Sequence, residues 1–235
     1  LERLRRSGAV AGRRSGEWGE ETVVRQMAGT PAVLFSQMDP DPELELDFHR
    51  WYDREHVARR LSLPGFRSAR RYIGVGDAPY HLAVYHLDSI DAVASDAYRA
   101  LKKNPGPATA EQLDRVRLFT RYTGTLLSDT GPVDAEAGRL FVIGFDVPVE
   151  LHEELNAWYA EEHIDLLLQV PGWLRVRRYL VEKDQVGVRM THLALHELRG
   201  PEVLEAPERA RLATPWRERL SQHAWFRDSI RWVYR

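Results

Sequence analysis

The sequence predicts an α+β fold made of two tandem βαββαβ repeats that close on each other within one chain, and three observations predict it. The first is self-similarity: WYDREHVARRLSLPGFRSARRY at 51–72 returns, ungapped and 107 positions later, as WYAEEHIDLLLQVPGWLRVRRY at 158–179. Ten of these 22 positions are identical (Trp51/Trp158, Tyr52/Tyr159, Glu55/Glu162, His56/His163, Leu61/Leu168, Pro64/Pro171, Gly65/Gly172, Arg70/Arg177, Arg71/Arg178 and Tyr72/Tyr179), where average composition gives about one or two. The second is that the match runs on, HLAVYHL at 81–87 answering HLALHEL at 192–198 after four inserted residues. The third is the order of hydrophobic periods, which in each copy reads strand, helix, strand, strand, helix, strand.

In the first copy, 33–38 is an apolar strand. Asp41-Pro42-Glu43 then supplies an N-cap, a proline at the first helical position and an acidic first turn. The helix they start runs to about Ser62, with Leu44, Phe48, Trp51, Tyr52 and Glu55 on one face, and Pro64-Gly65 ends it. Strands at 66–75 and 80–87 are joined by GVGDAP, a hairpin turn. A helix at 89–102 and a strand at 117–127 complete the copy. The second copy reads as a strand at 139–146, a helix at 150–169, strands at 173–182 and 188–198, helical material near 201–222 and a strand at 226–234. A βαββαβ unit puts both helices on one face of its sheet and leaves the other apolar face bare. The two bare faces therefore cover each other about a pseudo-twofold axis, with helices outside. The expected divisions are a leader or disordered tail at 1–30, a first repeat at 31–128, a linker at 129–138 and a second repeat at 139–235.

Composition supports a packed core and removes several classes of function. Of 235 residues, 43% are hydrophobic and 29% charged, and the net charge of -2 leaves no basic footprint for nucleic acid. There is no cysteine, hence no disulfide or thiolate chemistry. No apolar run approaches the roughly 18 residues that a spanning helix needs. The expectation is a cytoplasmic protein without membrane or nucleic-acid partners. HExxH, a Cys/His cluster, an acidic Ca loop, GxSxG and the phosphate-cradling GxxxxGK[ST] are all missing, so no metal is expected.

The block WYxxEH…L…PGF/W…RRY, followed by YHLAVYHLDS and SDAYRAL, resembles the EthD-like branch of the dimeric α+β barrel (ferredoxin-like) superfamily. The resemblance covers about 32–127 and 139–234. It implies an intrachain pseudo-dimeric α+β barrel, with further homo-oligomerisation left open. It also implies a small-molecule ligand or substrate handled by isomerase, cyclase, monooxygenase or haem chemistry, since the superfamily spans all of these. No cofactor is expected, and haem is the one left open, because a single histidine suffices as axial ligand.

The candidate catalytic residues are His56, His163, His81 and His192. His56 and His163 follow Glu55 and Glu162 beside the aromatic pairs Trp51-Tyr52 and Trp158-Tyr159, where imidazole beside a carboxylate is equipped for proton transfer. They serve equally well as helix-end packing. His81 and His192 share strand faces with Ala83 and Tyr85 and with Ala194 and His196; they match a pocket histidine of the resembling polyketide cyclases. A histidine bonded to a backbone carbonyl is the plainer reading. Tyr85 against His196 and His86 against Glu197 break the symmetry, which allows one functional pocket and one vestigial one. Trp51, Tyr52, Tyr72, Trp158, Tyr159 and Tyr179 are expected to line substrate; the Tyr72 and Tyr179 phenols could reach the helix-covered cavity, and a core tyrosine with a satisfied hydroxyl is the plainer reading of both. Glu55 with Arg70 or Arg71, and Glu162 with Arg177 or Arg178, are expected to pair and lock helix to sheet. The function expected is a cofactor-independent acid–base enzyme (isomerase, cyclase, dehydratase or decarboxylase) acting on a carbonyl-bearing aromatic, lactone or polyketide-like compound. A non-catalytic binding or structural barrel and a haem-binding barrel are the alternatives.

Overall fold

A computed structural model describes residues 29–133 and 136–235; most of the expected leader lies outside the described residues. β1 (Ala32–Asp39) leads through a 3-10 turn at Pro42–Leu44 into α1 (Glu45–Trp51), a π-helical turn at Tyr52–His56 and α2 (Val57–Leu61). β2 (Phe66–Val75) and β3 (His81–Leu87) form the hairpin; α3 (Asp91–Ala94), α4 (Asp96–Lys103) and α5 (Pro107–Asp114) follow, and β4 (Leu118–Thr130) ends the first half. The second half runs β5 (Arg139–Phe145), a 3-10 turn at Val149–Leu151, α6 (His152–Trp158), a π turn at Tyr159–His163, α7 (Ile164–Leu168), β6 (Trp173–Val181) and β7 (His192–Leu198). Two 3-10 segments (Pro201–Glu205 and Pro207–Leu212), α8 (Pro215–Ser221), α9 (Ala224–Arg227) and β8 (Ile230–Tyr234) complete it. No helix among the described residues is long and apolar enough to cross a membrane.

Asp41 caps the first turn as its sequence context requires, its Oδ1 accepting from Glu43 N at 3.2 Å. Several elements differ from expectation. The long helix of each half carries a π turn, because the fifth residue after each tryptophan is a histidine that packs on the indole: Trp51 and His56 centroids lie 4.3 Å apart, Trp158 and His163 3.9 Å. A helix, α5, stands where only a connection was expected; Gly106 at φ 87 and Pro107 at its first position start it. The strand expected at 226–234 begins only at Ile230, since Phe226 sits in α9 against Phe145 and Trp158.

The strands form one closed antiparallel barrel in the order β1-β3-β2-β8-β5-β7-β6-β4. Closure runs edge to edge through two seams. β2 meets β8 at Gly74↔Tyr234 and Val75↔Val233. β4 meets β6 from Gly124↔Val181 to Thr130↔Val176, so Asp129 and Thr130, expected in a linker, are ladder residues. Side-chain alternation then sorts the core. Val33, Phe35, Leu82, Val84, Tyr122, Leu140, Val142, Leu193, Leu195 and Tyr234 fill the barrel interior. Ala83 and Tyr85 face the helices in the first half, as do Phe141 and Ala194 in the second. Each such buried large side chain contributes about 1.5–3 kcal/mol of transfer free energy. Buried Gln37 joins three strands across the interior, donating to Tyr234 Oη at 2.6 Å and accepting from Thr120 Oγ1 at 2.6 Å. The barrel is thus a packed core, and the room for a ligand lies outside or at its mouth.

Candidate functional site

The first-half site is built on the π turn. His56 is 2% exposed, with the Trp51 and Tyr52 rings at 4.3 and 4.5 Å, and its Nδ1 has no partner among the described residues. It lines a cavity of about 440 Å³ with Arg59, Arg60, Tyr98, Lys102 and Thr109, closed on the far side by Asp184 and Val186 from the loop after β6. Ligand sites typically occupy about 300–1,000 Å³. Burial, followed by the nearby Arg60, Arg71 and Arg59 cations, pushes the His56 imidazolium down to about 2, so the ring is neutral throughout the physiological range.

The second-half counterpart is nearly filled. Its cavity is about 130 Å³, lined by Trp158, Tyr159, His163, Trp173, His196 and Arg217 among others. His163 stacks on Trp158 and is held well below its usual pKa, by burial first and by His196 next. His196 is fully buried, accepts at Nδ1 from Trp173 Nε1 at 3.3 Å and is pushed by burial down to about 3. Sequence reasoning placed His196 on this face but did not list it as a site residue; its helix-facing position opposite Tyr85 was the available signal.

His81 and His192 line neither cavity. His81, 2% exposed, meets Phe48, His49 and Tyr80 at 4.7, 4.5 and 4.6 Å. His192 meets His152 edge-on at 4.6 Å, and its Nδ1 lies 3.1 Å from Thr191 Oγ1. Burial pushes both down to about 3, with His49 and His152 as the next causes. The fold therefore does not gather His56 with His81, or His163 with His192, in one pocket.

Two further expectations are corrected. Tyr72 and Tyr179 point into the barrel, because Arg71 and Arg178 take the helix side of their strands and lie over the Tyr52 and Tyr159 rings at 4.4 and 4.0 Å. The two phenols line a separate cavity of about 520 Å³ at the barrel mouth with Arg70, His86, Arg175, Arg177 and Glu197. The expected carboxylate–arginine locks are also absent among the described residues. Glu55 accepts from Arg59 and from Thr109 Oγ1, each at 3.3 Å, and Thr109 in turn accepts from Trp51 Nε1 at 3.1 Å. Glu162 accepts from Trp158 Nε1 at 3.1 Å and Thr214 Oγ1 at 2.6 Å. The glutamates tie their helices to α5, through Thr109, and to the start of α8, through its N-cap Thr214. The arginines go elsewhere: Arg71 to Asp53, Arg177 to Glu197, Arg178 to Asn156 and Arg70 to the Ala137 carbonyl.

Of the four candidate histidines, His56 and His163 line helix-side cavities, and each packs against the tryptophan and tyrosine of its own block.

No protein-family model matches the chain, and no curated protein is significantly similar to it. Solved structures are similar in fold. An anthrone oxidase-like protein superposes with a TM-score of 0.59 at 16% identity, over 87% of this chain and 90% of its own. A candidate monooxygenase from Lactobacillus acidophilus NCFM gives 0.56 at 10%, over 88% and 93%. A mutant chlorite dismutase from Candidatus Nitrospira defluvii gives 0.55 at 12%, over 87% and 91%. The chain shares the dimeric α+β barrel fold with these proteins, which are named as enzymes or enzyme-like, and at such identities the likeness concerns the fold.

Proposed function

We propose that the chain is a small-molecule enzyme of the EthD-like kind, made of two copies of one ferredoxin-like unit, and that its chemistry is acid–base chemistry at the first-half pocket. The observation that carries this reading is the asymmetry of the helix-side cavities: about 440 Å³ beside His56 against about 130 Å³ beside His163. The repeated Trp-Tyr-x-x-Glu-His block and the π turn in both halves support the duplication.

The pocket suits a carbonyl compound that becomes anionic as it reacts. Its wall is apolar where Met38, Leu101, Leu113 and Phe119 contribute, and cationic where Arg60 and Lys102 stand. Arg60 donates to the His56 carbonyl oxygen at 3.2 Å and has no carboxylate partner among the described residues. An enolate beside Arg60 is stabilised as its charge develops. As a proton passes from the substrate to the His56 ring, that same developing anion favours the imidazolium beside it. Isomerisation, cyclisation, dehydration or decarboxylation of an aromatic, lactone or polyketide-like carbonyl compound fits such a site.

His56→Ala is expected to lower kcat by about 10²-fold or more with its melting temperature within a few degrees of the parent, while His163→Ala keeps turnover. Carbonyl compounds of this class, followed by mass spectrometry, supply the assay. Full activity in His56→Ala overturns the assignment; ligand-induced thermal stabilisation with no turnover in the parent favours a binding barrel instead.

A further inference from the structure

A second cluster lies at the other end of the first helix, outside the proposed pocket. Glu45 and His49 stand one turn apart on α1, and His81 opens β3 beside them. One ligand atom from each of the three lies within 4.8 Å of the others. His49 Nε2 is 3.5 Å from Glu45 Oε1, and the two imidazoles meet edge-on at 4.5 Å. His81 is 2% exposed, yet neither of its nitrogens has a partner among the described residues. Buried imidazole nitrogens are normally hydrogen-bonded, so lone-pair capacity facing a carboxylate and a second imidazole points to a ligand.

We propose that Glu45, His49 and His81 bind a divalent transition-metal ion. Two imidazoles and one carboxylate are a donor set suited to Zn²⁺, Fe²⁺ or Co²⁺ and poorly suited to Mg²⁺ or Ca²⁺. Ligand atoms about 2.0–2.2 Å from a tetrahedral ion are about 3.4 Å apart, so rotamer adjustments on the order of 1 Å close the site. The surrounding contacts already orient the ligands. Tyr80 Oη donates to Glu45 Oε1 at 2.5 Å, and Arg71, paired with Asp53, contacts His49 Nδ1 at 3.2 Å and leaves Nε2 toward Glu45. The Glu45 and His49 side chains are about one-third exposed, which gives the ion a route in and an open coordination position.

The equivalent place in the second half has lost the set. His152 stands for Glu45 and Asn156 for His49; His152 Nε2 is engaged at 3.1 Å with the Val147 carbonyl, and Asn156 takes the Arg178 donor at 2.6 Å. One ion per chain is therefore expected. The site does not depend on the His56 pocket being catalytic.

The test is titration of the chelator-treated full-length protein with Zn²⁺ by calorimetry and with Co²⁺ by visible absorption. One equivalent of each is expected, with Co²⁺ showing ligand-field bands and Mg²⁺ no binding. Glu45→Gln and His49→Asn, at half-buried positions that leave the core intact, are expected to weaken Zn²⁺ by at least about tenfold each at an unchanged melting temperature of the metal-free protein. His192→Asn is expected to leave the affinity as it was. Absence of measurable Zn²⁺ and Co²⁺ binding, or equal affinity in Glu45→Gln, His49→Asn and the parent, overturns the site.

Discussion

Arg177 is a charge taken almost wholly out of water at the barrel mouth. Its side chain is 8% exposed and that of Glu197, which accepts from its Nη2, 10%, while Nη1 lies 2.7 Å from the His86 ring. Removing one member leaves the other as an uncompensated buried charge. Arg177→Met or Glu197→Gln alone should therefore destabilise by about 3–5 kcal/mol, and the double variant should recover most of that loss. Urea denaturation of the two single variants and the double one measures both numbers. Additive losses would mean that the two groups are not coupled to each other. Tyr72 and Tyr179 line the same cavity.

The helix-to-strand turn does equal work in both halves. Gly65 and Gly172 adopt φ 85 and 86, and a Cβ on either would come within 2.8 Å of Ala92 Cβ or 2.7 Å of Val203 Cγ2. Positive φ and close approach together require glycine. Gly65→Ala and Gly172→Ala should each cost on the order of 1–3 kcal/mol, read as a fall in the urea midpoint at constant slope. The π turns that precede them are element-scale devices of another kind. By adding a residue to one turn they bring Trp51 onto His56 and Trp158 onto His163, leaving each histidine buried under an indole.

At the scale of the molecule, the two seams that close the barrel are unequal. β4 and β6 pair over Gly124–Thr130, whereas β2 and β8 share Gly74, Val75, Val233 and Tyr234, extended by the reciprocal Ile73–Arg235 bonds at 2.8 and 2.9 Å. The shorter seam should open first, so amide exchange at Ile73 and Arg235, whose N–H groups cross it, should run faster than at Glu182, whose N–H crosses the longer seam to the Thr123 carbonyl. Uniform protection of both seams would mean that the barrel opens only globally. Acid should act on the whole fold as well. His56 and His196 have folded pKa values of about 2 and about 3 against 6.5 unfolded; the unfolded chain thus binds more protons below 6.5. The stability these rings contribute is complete above that value and is lost as the pH falls toward 3, by on the order of 2 kcal/mol each at pH 5. Stability by urea denaturation should drop between pH 6.5 and 5; a flat profile would mean these rings are not held neutral.

Element order was legible because hydrophobic period and turn chemistry are local: the PGF/W turn, the GVGDAP hairpin and the Asp41-Pro42 helix start each stand close to where the residues place them. The helix-facing positions of His81 and His192 were legible for the same reason, since a strand alternates by twos. What a side chain meets across the fold was not. Glu55 and Glu162 had arginines in plausible reach on the next strand, and only the packing of α5 and α8 brought Thr109 and Thr214 closer. Glu45 and His49 carried a visible i, i+4 spacing, but the third ligand comes from a strand 32 positions on. The sequence alone determined the self-similar blocks, the order of the strands and the start of each long helix; the tertiary structure decided edge-to-edge closure, the filling of one helix-side cavity and not the other, and every long-range partner, because those depend on distances between segments that local periodicity does not encode.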